Sequence, residues 1–194
     1  KINKPKLITA IGMFYDLENP SQFIADAAEV LDNDGVFIAQ LMCLKSMLNK
    51  NDLGNICHEH LEYYSYDSLK YLFEKNGLKI FKMVENDING GSYRIFCKKN
   101  IARSIVYKEK TNLFEIKKFI QRVVLNKKKC LTFLTNATKK KLKVFIYGAS
   151  TKGNTLLQYY GIGHKLIQFA AERSPEKWGK YTIGSGIKII SENE

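Results

Sequence analysis

Residues 7–39 constrain the fold more than any other part of the chain. Leu7-Ile8-Thr9-Ala10-Ile11 is a β-branched apolar run of the kind carried by parallel strands buried on both faces. Asn19-Pro20-Ser21 opens a helix, and its apolar positions Phe23, Ile24, Ala27, Ala28 and Leu31 recur at helical spacing. Asp32-Asn33-Asp34-Gly35 stops that helix, and Val36-Phe37-Ile38-Ala39 is a second strand. Parallel strands need a crossover of this sort, which makes the chain α/β. The first strand would be central in its sheet, yet no earlier segment supplies a neighbour. The last strand, residues 187–190, has no closing helix. Both ends look cut, and the chain reads as a fragment.

Residues 43–62 show no clear periodicity and hold two of the three histidines. A helix over 68–76 ends at Gly77, a C-terminal glycine position. Strands over 78–84 and 92–97 follow, separated by the turn residues Asn89-Gly90-Gly91. Residues 112–140 form a basic helical segment in which Leu113, Ile116, Ile120, Val123, Leu131 and Leu134 make an imperfect apolar stripe. A polar break near 126–129 predicts one kinked helix or two stacked ones. Beyond it come a strand over 143–147, a glycine-containing turn, a helix over 154–160 and a strand over 167–171. The expected organisation is a first domain over 1–99, a helical linker over 100–142 and a Rossmann-like domain over 143–194.

Charge is distributed unevenly. The chain carries a net +12, and residues 98–143 alone carry +13. Such a segment is either an electrostatic footprint for a phosphate-rich partner or the solvated face of a long helix. The second reading is favoured, and nucleic acid is not expected as a partner. No apolar run approaches the roughly 18 residues of a membrane span, so a membrane partner is excluded. Cys43, Cys57, Cys97 and Cys130 are widely spaced, with neither a zinc-site pattern nor a disulfide framework. A reducing, cytoplasmic setting is expected.

Proton-transfer groups concentrate in Asn55-Ile56-Cys57-His58-Glu59-His60-Leu61-Glu62-Tyr63-Tyr64-Ser65. Histidine titrates near neutrality and suits a general base. His58 and His60 would share a face in an extended strand and could start a metal site. Such a site needs further ligands, and only the distant His164 or carboxylates are on offer, so no metal is expected here. Packing of the histidines against aromatics is the remaining alternative.

Several of these segments together resemble one family. Residues 6–39 look like the second half of a class I S-adenosylmethionine-dependent methyltransferase, from its fourth strand through its fifth. The run Ile8 to Leu17 resembles the segment that lines the methionine end of the cofactor. His58-Glu59-His60, the following Tyr64-Ser65-Tyr66-Asp67-Ser68-Leu69, and Asn89-Gly90-Gly91-Ser92-Tyr93-Arg94 are more narrowly similar to sugar C-methyltransferases. Those enzymes methylate carbon on nucleotide-linked 4-keto-deoxyhexoses. Tyr147-Gly148-Ala149-Ser150-Thr151-Lys152-Gly153-Asn154 is similar to the first strand–turn–helix of their Rossmann-like C-terminal domain. Glu172-Arg173-Ser174-Pro175-Glu176-Lys177-Trp178-Gly179-Lys180-Tyr181 resembles the segment after its second strand. The implied fold is the second half of a class I methyltransferase sheet, linked by the basic helix to a partial Rossmann-like domain.

The resemblance implies S-adenosylmethionine as methyl donor and a nucleotide-sugar as substrate. A base removes a proton beside the ketone, and the resulting enolate carbon takes the methyl group. His60 matches the family's base, and Glu59 would orient it or hold a sugar hydroxyl. His58, Asn55 and the turn Asn89, Gly90, Gly91 and Ser92 would face the negative charge that develops on the ketone oxygen. Cys57 stands where the family commonly has tyrosine, so Tyr63 or Tyr64 would have to supply any phenol. Met13, Phe14 and Tyr15 would line the cofactor. Ser150, Lys152 and Asn154 at a helix start would hold the diphosphate, with Arg94 and Arg173 as further phosphate ligands or surface ion pairs. Glu172 could also mimic the ribose-binding acid of a nicotinamide enzyme, a reading held below the sugar-nucleotide one. Methylation at oxygen and noncatalytic polyanion binding by 98–143 are the remaining alternatives. The family's glycine-rich cofactor loop and its zinc-binding N-terminal domain have no counterpart in these residues. The chain alone is therefore expected to be inactive, with any zinc lying outside it.

Overall fold

The structure, a computed structural model, describes residues 3–194; the first two residues of the expected domain over 1–99 lie outside them. It divides into two compact units. One takes the chain up to Asp52 together with His58–Ile116, and the other takes Leu53–Cys57 together with Lys117–Glu194.

The first unit is built on a four-stranded sheet. Its strands are β1 (Leu7–Ile11), β2 (Val36–Met42), β3 (Lys79–Asn86) and β4 (Ser92–Lys98), in the order β1-β2-β4-β3. β1 pairs parallel to β2, with Ala10 opposite Ala39, and β4 runs antiparallel to both its neighbours. The crossover between β1 and β2 is α1 (Pro20–Val30). The Asn19 side chain caps it by accepting the Gln22 amide at 3.1 Å, and Pro20 sits in the first turn. α1 buries Ile24 and Ala27. α3 (Tyr66–Lys75) starts in a reciprocal Ser65–Ser68 capping box and buries Leu69 and Phe73. Phe73 stacks on Phe14 at 5.5 Å between ring centroids and meets Phe37 at 5.6 Å. The core joins these helices to Ile80, Tyr93, Ile95 and Cys97 of the sheet.

Two expectations change here. β1 is not buried on both faces: among the described residues it pairs with β2 alone, and Leu7 and Ile11 are each more than half exposed. The stretch after β2 is also less irregular than its sequence suggests. It holds α2 (Leu44–Lys50), capped by Cys43 Sγ, which accepts the Ser46 amide at 3.4 Å. A seven-residue helix gives too short a window for periodicity to reveal.

In the second unit a three-stranded parallel sheet runs β5 (Phe145–Tyr147), β6 (Phe169–Glu172), β7 (Lys188–Ser191). α4 (Leu113–Lys139) is one continuous helix of 27 residues, with no break at 126–129. α5 (Thr151–Tyr160) follows β5, capped at its start by Ser150 and at its end by Gly161 at φ 72°. The core gathers Leu134 of α4, Leu157 of α5, Ile162, Ile167, Ala170, Ile187 and Ile189. The short turn Leu53–Asn55 packs on α5, where Gly54 approaches the Lys152 backbone so closely that an added Cβ would lie 3.1 Å from its carbonyl oxygen.

Candidate active site

The first unit brings three separate stretches together. Gly12, at φ 68°, turns the chain out of β1 into a short 3-10 turn, Phe14–Asp16. Phe14 is fully buried, its ring committed to Phe73, Phe23 and Tyr64. Next to that anchor, Tyr15 is nearly buried and sets its ring against the His60 imidazole, edge to face, with centroids 4.6 Å apart. The Tyr15 carbonyl accepts the amides of Leu61 at 2.9 Å and Glu62 at 3.1 Å. Met13, which is half-buried, packs against the core from the same turn.

The start of α2 ties in the other two stretches. The Cys43 amide donates to the Gly91 carbonyl at 3.2 Å, and the next amide, Leu44, donates to the Tyr64 carbonyl at 3.0 Å. The turn Ile88–Gly90 is held in left-handed geometry by Asn89, at φ 53°, and by Gly90. Gly91, at φ 127°, lies so close to Ser46 that a Cβ would meet the Ser46 side chain at 2.3 Å, so only glycine fits. The Ser92 hydroxyl is buried and donates to the Ile88 carbonyl at 2.8 Å, which serves the turn itself.

Tyr64 is buried among aromatic rings, and its hydroxyl has no hydrogen-bond partner among the described residues. Burial raises its pKa well above the ordinary phenol value, so the group stays protonated and keeps an O–H to donate. His58 and Glu59 are exposed on the loop leading to His60. Asn55 and Cys57 fall in the segment that belongs to the second unit. Arg94 faces Gln40 across the β2–β4 ladder and donates to its carbonyl oxygen through Nε at 2.8 Å and Nη2 at 2.6 Å. A lone glutamine inside the apolar run 36–42 was the sequence signal for this buried partner.

In the second unit the candidates cluster at the C-terminal ends of β5 and β6. Ser150 spends its hydroxyl oxygen capping α5, accepting the Gly153 amide at 3.1 Å. Lys152 packs on Gly54. Asn154 lines a largely apolar cavity of about 380 Å3 with Phe133, Phe145 and Tyr160, while its Oδ1 is buried without a partner among the described residues. Arg173 is mostly exposed and reaches Glu192 at 3.4 Å. The Glu172 carboxylate is fully engaged: it accepts the amides of Ala149 (2.8 Å), Arg173 (2.9 Å) and Ser174 (3.2 Å) and the Lys177 ammonium (3.2 Å). The Ala149 amide, then the Ser174 amide and the Lys177 ammonium, hold its pKa down at about 2. A carboxylate so occupied has little capacity left for ribose hydroxyls, which weighs against the nicotinamide reading.

A third network, which sequence reasoning missed, joins Lys45 of α2 to Glu85 (2.9 Å) and to the Tyr107 hydroxyl (2.7 Å), with Tyr107 also donating to Glu85. Desolvation pushes the Glu85 carboxyl upward, but the Tyr107 and Lys45 hydrogen bonds outweigh it and leave the pKa below the ordinary value. These three residues lie far apart in sequence with no motif to link them. Among the described residues, no three His, Cys, Asp or Glu side chains gather as a metal site would require, and no helix is long and apolar enough to cross a membrane.

A family model described as the C-methyltransferase C-terminal domain matches residues 87–194. The chain is 27% identical over 212 residues to the C-methyltransferase NovU of Streptomyces niveus, an alignment covering 96% of this chain and 47% of that protein. The chain thus spans about half the length of the curated relative it matches. A solved complex of the Haloferax volcanii Trm112 methyltransferase activator with a methyltransferase aligns at a TM-score of 0.43 and 10% identity. It covers 55% of this chain and 57% of that one, a likeness too distant to carry an argument.

Proposed function

The chain belongs to the C-methyltransferase family through its C-terminal domain, and from that membership we propose that it serves S-adenosylmethionine-dependent C-methylation of a nucleotide-linked keto-deoxysugar. One observation carries the proposal. The stretch resembling the cofactor's methionine end and the His-Glu-His element are in contact within one unit, through Tyr15 and His60. The start of α2 ties Tyr64, four residues after His60, to Gly91 of the turn at Asn89–Ser92.

The residues present fit the sulfonium end of the cofactor. At Gly12 the space a Cβ would fill is open apart from the Tyr15 hydroxyl at 3.9 Å, and the half-buried Met13 thioether is an apolar, polarizable neighbour for a sulfonium. When bound, S-adenosylmethionine supplies an electrophilic methyl group. His60 takes the proton from the carbon beside the ketone, and the C–H electron pair is delocalised onto the ketone oxygen. With the cofactor bound, that carbon would take the methyl group with the sulfonium sulfur as leaving group, and His60 would return its proton to solvent. Developing charge on the oxygen needs donors, each worth about 3 kcal/mol where the geometry is right. His58 and the amides of the Asn89–Ser92 turn are the candidates in the first unit. Tyr64, held neutral by burial, would act as a donor without becoming a base. Ser150, Lys152, Asn154 and Arg173 would hold the nucleotide diphosphate at the start of α5. Four cysteines without a disulfide among the described residues suit a cytoplasmic enzyme.

The test incubates the full-length protein with methyl-labelled S-adenosylmethionine and a panel of nucleotide-linked 4-keto-deoxysugars, with product read by mass spectrometry. Label on a sugar carbon, lost in His60→Asn, is the expected result. Carbon methylation that survives in His60→Asn removes the base assignment, and no label on any sugar removes the substrate class.

A further inference from the structure

Tyr15 makes three contacts that all converge on one short segment. Its ring lies edge-on to His60, and its carbonyl oxygen accepts the amides of the two residues that follow His60, Leu61 and Glu62. Behind it, Phe14 is fully buried and stacked on Phe73 of α3, so the turn carrying Tyr15 is anchored in the core. The Asp16 amide closes that turn on the Met13 carbonyl at 3.1 Å. Tyr15 is itself only 8% exposed, so most of its surface is already spent inside the protein and little is left for a ligand.

From this geometry we infer that Tyr15 is a positioning residue for His60, rather than principally a wall of the cofactor site. The inference rests on the reading of His60 as the base. The argument is one of precision. His60 lies on a loop, in a stretch without regular secondary structure between the turn Leu53–Asn55 and α3. An imidazole on such a loop samples several rotamers unless something fixes both its backbone and its ring. Tyr15 does both: the carbonyl pins the backbone directly after His60, and the ring limits rotation of the imidazole. Edge-to-face aromatic contacts contribute beyond simple burial, and this one is rooted in the core of the unit.

A wall residue and a positioning residue fail differently. Removing a wall weakens donor binding and raises KM for S-adenosylmethionine. Removing a positioner leaves donor binding in place and lowers kcat, because displacing a reacting group by about 1 Å can cost on the order of 100-fold. In the full-length protein, Tyr15→Leu is expected to lower kcat by about 10- to 100-fold with KM for S-adenosylmethionine nearly unchanged. Tyr15→Phe, which keeps the ring and the carbonyl, is expected to recover most of that loss. The two His60 imidazole C–H proton signals, assigned by their disappearance in His60→Asn, should be ring-current shifted in the wild type. They should keep those shifts in Tyr15→Phe and lose them in Tyr15→Leu.

A rise in KM with kcat unchanged would overturn the inference, as would His60 signals without a ring-current shift in the wild type. That second reading needs no Tyr15 variant to fold. Loss of methyl transfer in His60→Asn beside normal kcat in Tyr15→Leu would overturn the positioning role alone. Retained carbon methylation in His60→Asn would remove the base reading and this inference with it.

Discussion

Glu172 shows how far a single residue's role can depart from what its place in the chain suggests. At the end of β6 it occupies the position where a dinucleotide enzyme carries a ribose-binding acid, yet its carboxylate faces inward onto the amides of Ala149, Arg173 and Ser174 and the Lys177 ammonium. A carboxyl whose pKa falls from 4.5 to about 2 on folding stabilises the folded state above the unfolded value, and that contribution fades as pH drops from 4.5 toward 2. Glu172→Gln is therefore expected to unfold at lower urea than the wild type near neutral pH. The gap between the two should narrow steadily below about pH 4.5. Paired urea titrations across that range make the check, and a gap of constant size would show that the carboxylate does not hold the turn. Sequence could locate Glu172 and name its alternatives, but the amides that occupy it come from a turn 23 residues earlier, which no local pattern reveals. Tyr64 is similar: its place in the motif was legible, while the burial that keeps it protonated depends on Phe14, 50 positions away.

At the scale of elements, the longer and more periodic segments were legible. α1, with its Asn-Pro start, and α3, with the glycine beyond its end, were both readable from caps and spacing. α4 was legible as a helix, but its polar stretch at 126–129 suggested a kink that the structure does not have. Lysines tolerate a helix interior well and carry no breaking signal. What sequence missed was contact between elements. Gly91 reads as turn chemistry, yet its requirement for glycine comes from α2, whose Ser46 side chain occupies the space a Cβ would need. Gly91→Ala combines a left-handed backbone with that overlap, and a loss of about 2–4 kcal/mol is expected. Thermal unfolding measures it. Ser46→Gly in the Gly91→Ala background should recover the part due to overlap and leave the part due to φ. If Ser46→Gly recovers nothing, the contact with α2 does not decide the residue.

Across the whole molecule the strands, and the helices other than α2, were legible in their order, and the two units are not single continuous stretches. Linear domain limits assume that each unit is one continuous stretch. Here Leu53–Cys57 belongs with α5 and the β5-β6-β7 sheet, although the residues on both sides of it belong to the other unit. Its close approach at Gly54 to Lys152 joins positions almost one hundred residues apart, a pairing invisible to periodicity or composition. The consequence is one for dissection: no single cut isolates the second unit intact. Residues 117–194 produced alone would present α5 without the turn that packs on it. The piece is expected to melt below the temperature at which the same unit melts in the whole chain, and a peptide covering residues 50–58, added in trans, should raise that melting temperature. A peptide without effect would mean that the turn is a passenger. His58 follows Cys57 directly, so a boundary between the two units falls immediately before the proposed His58-Glu59-His60 element.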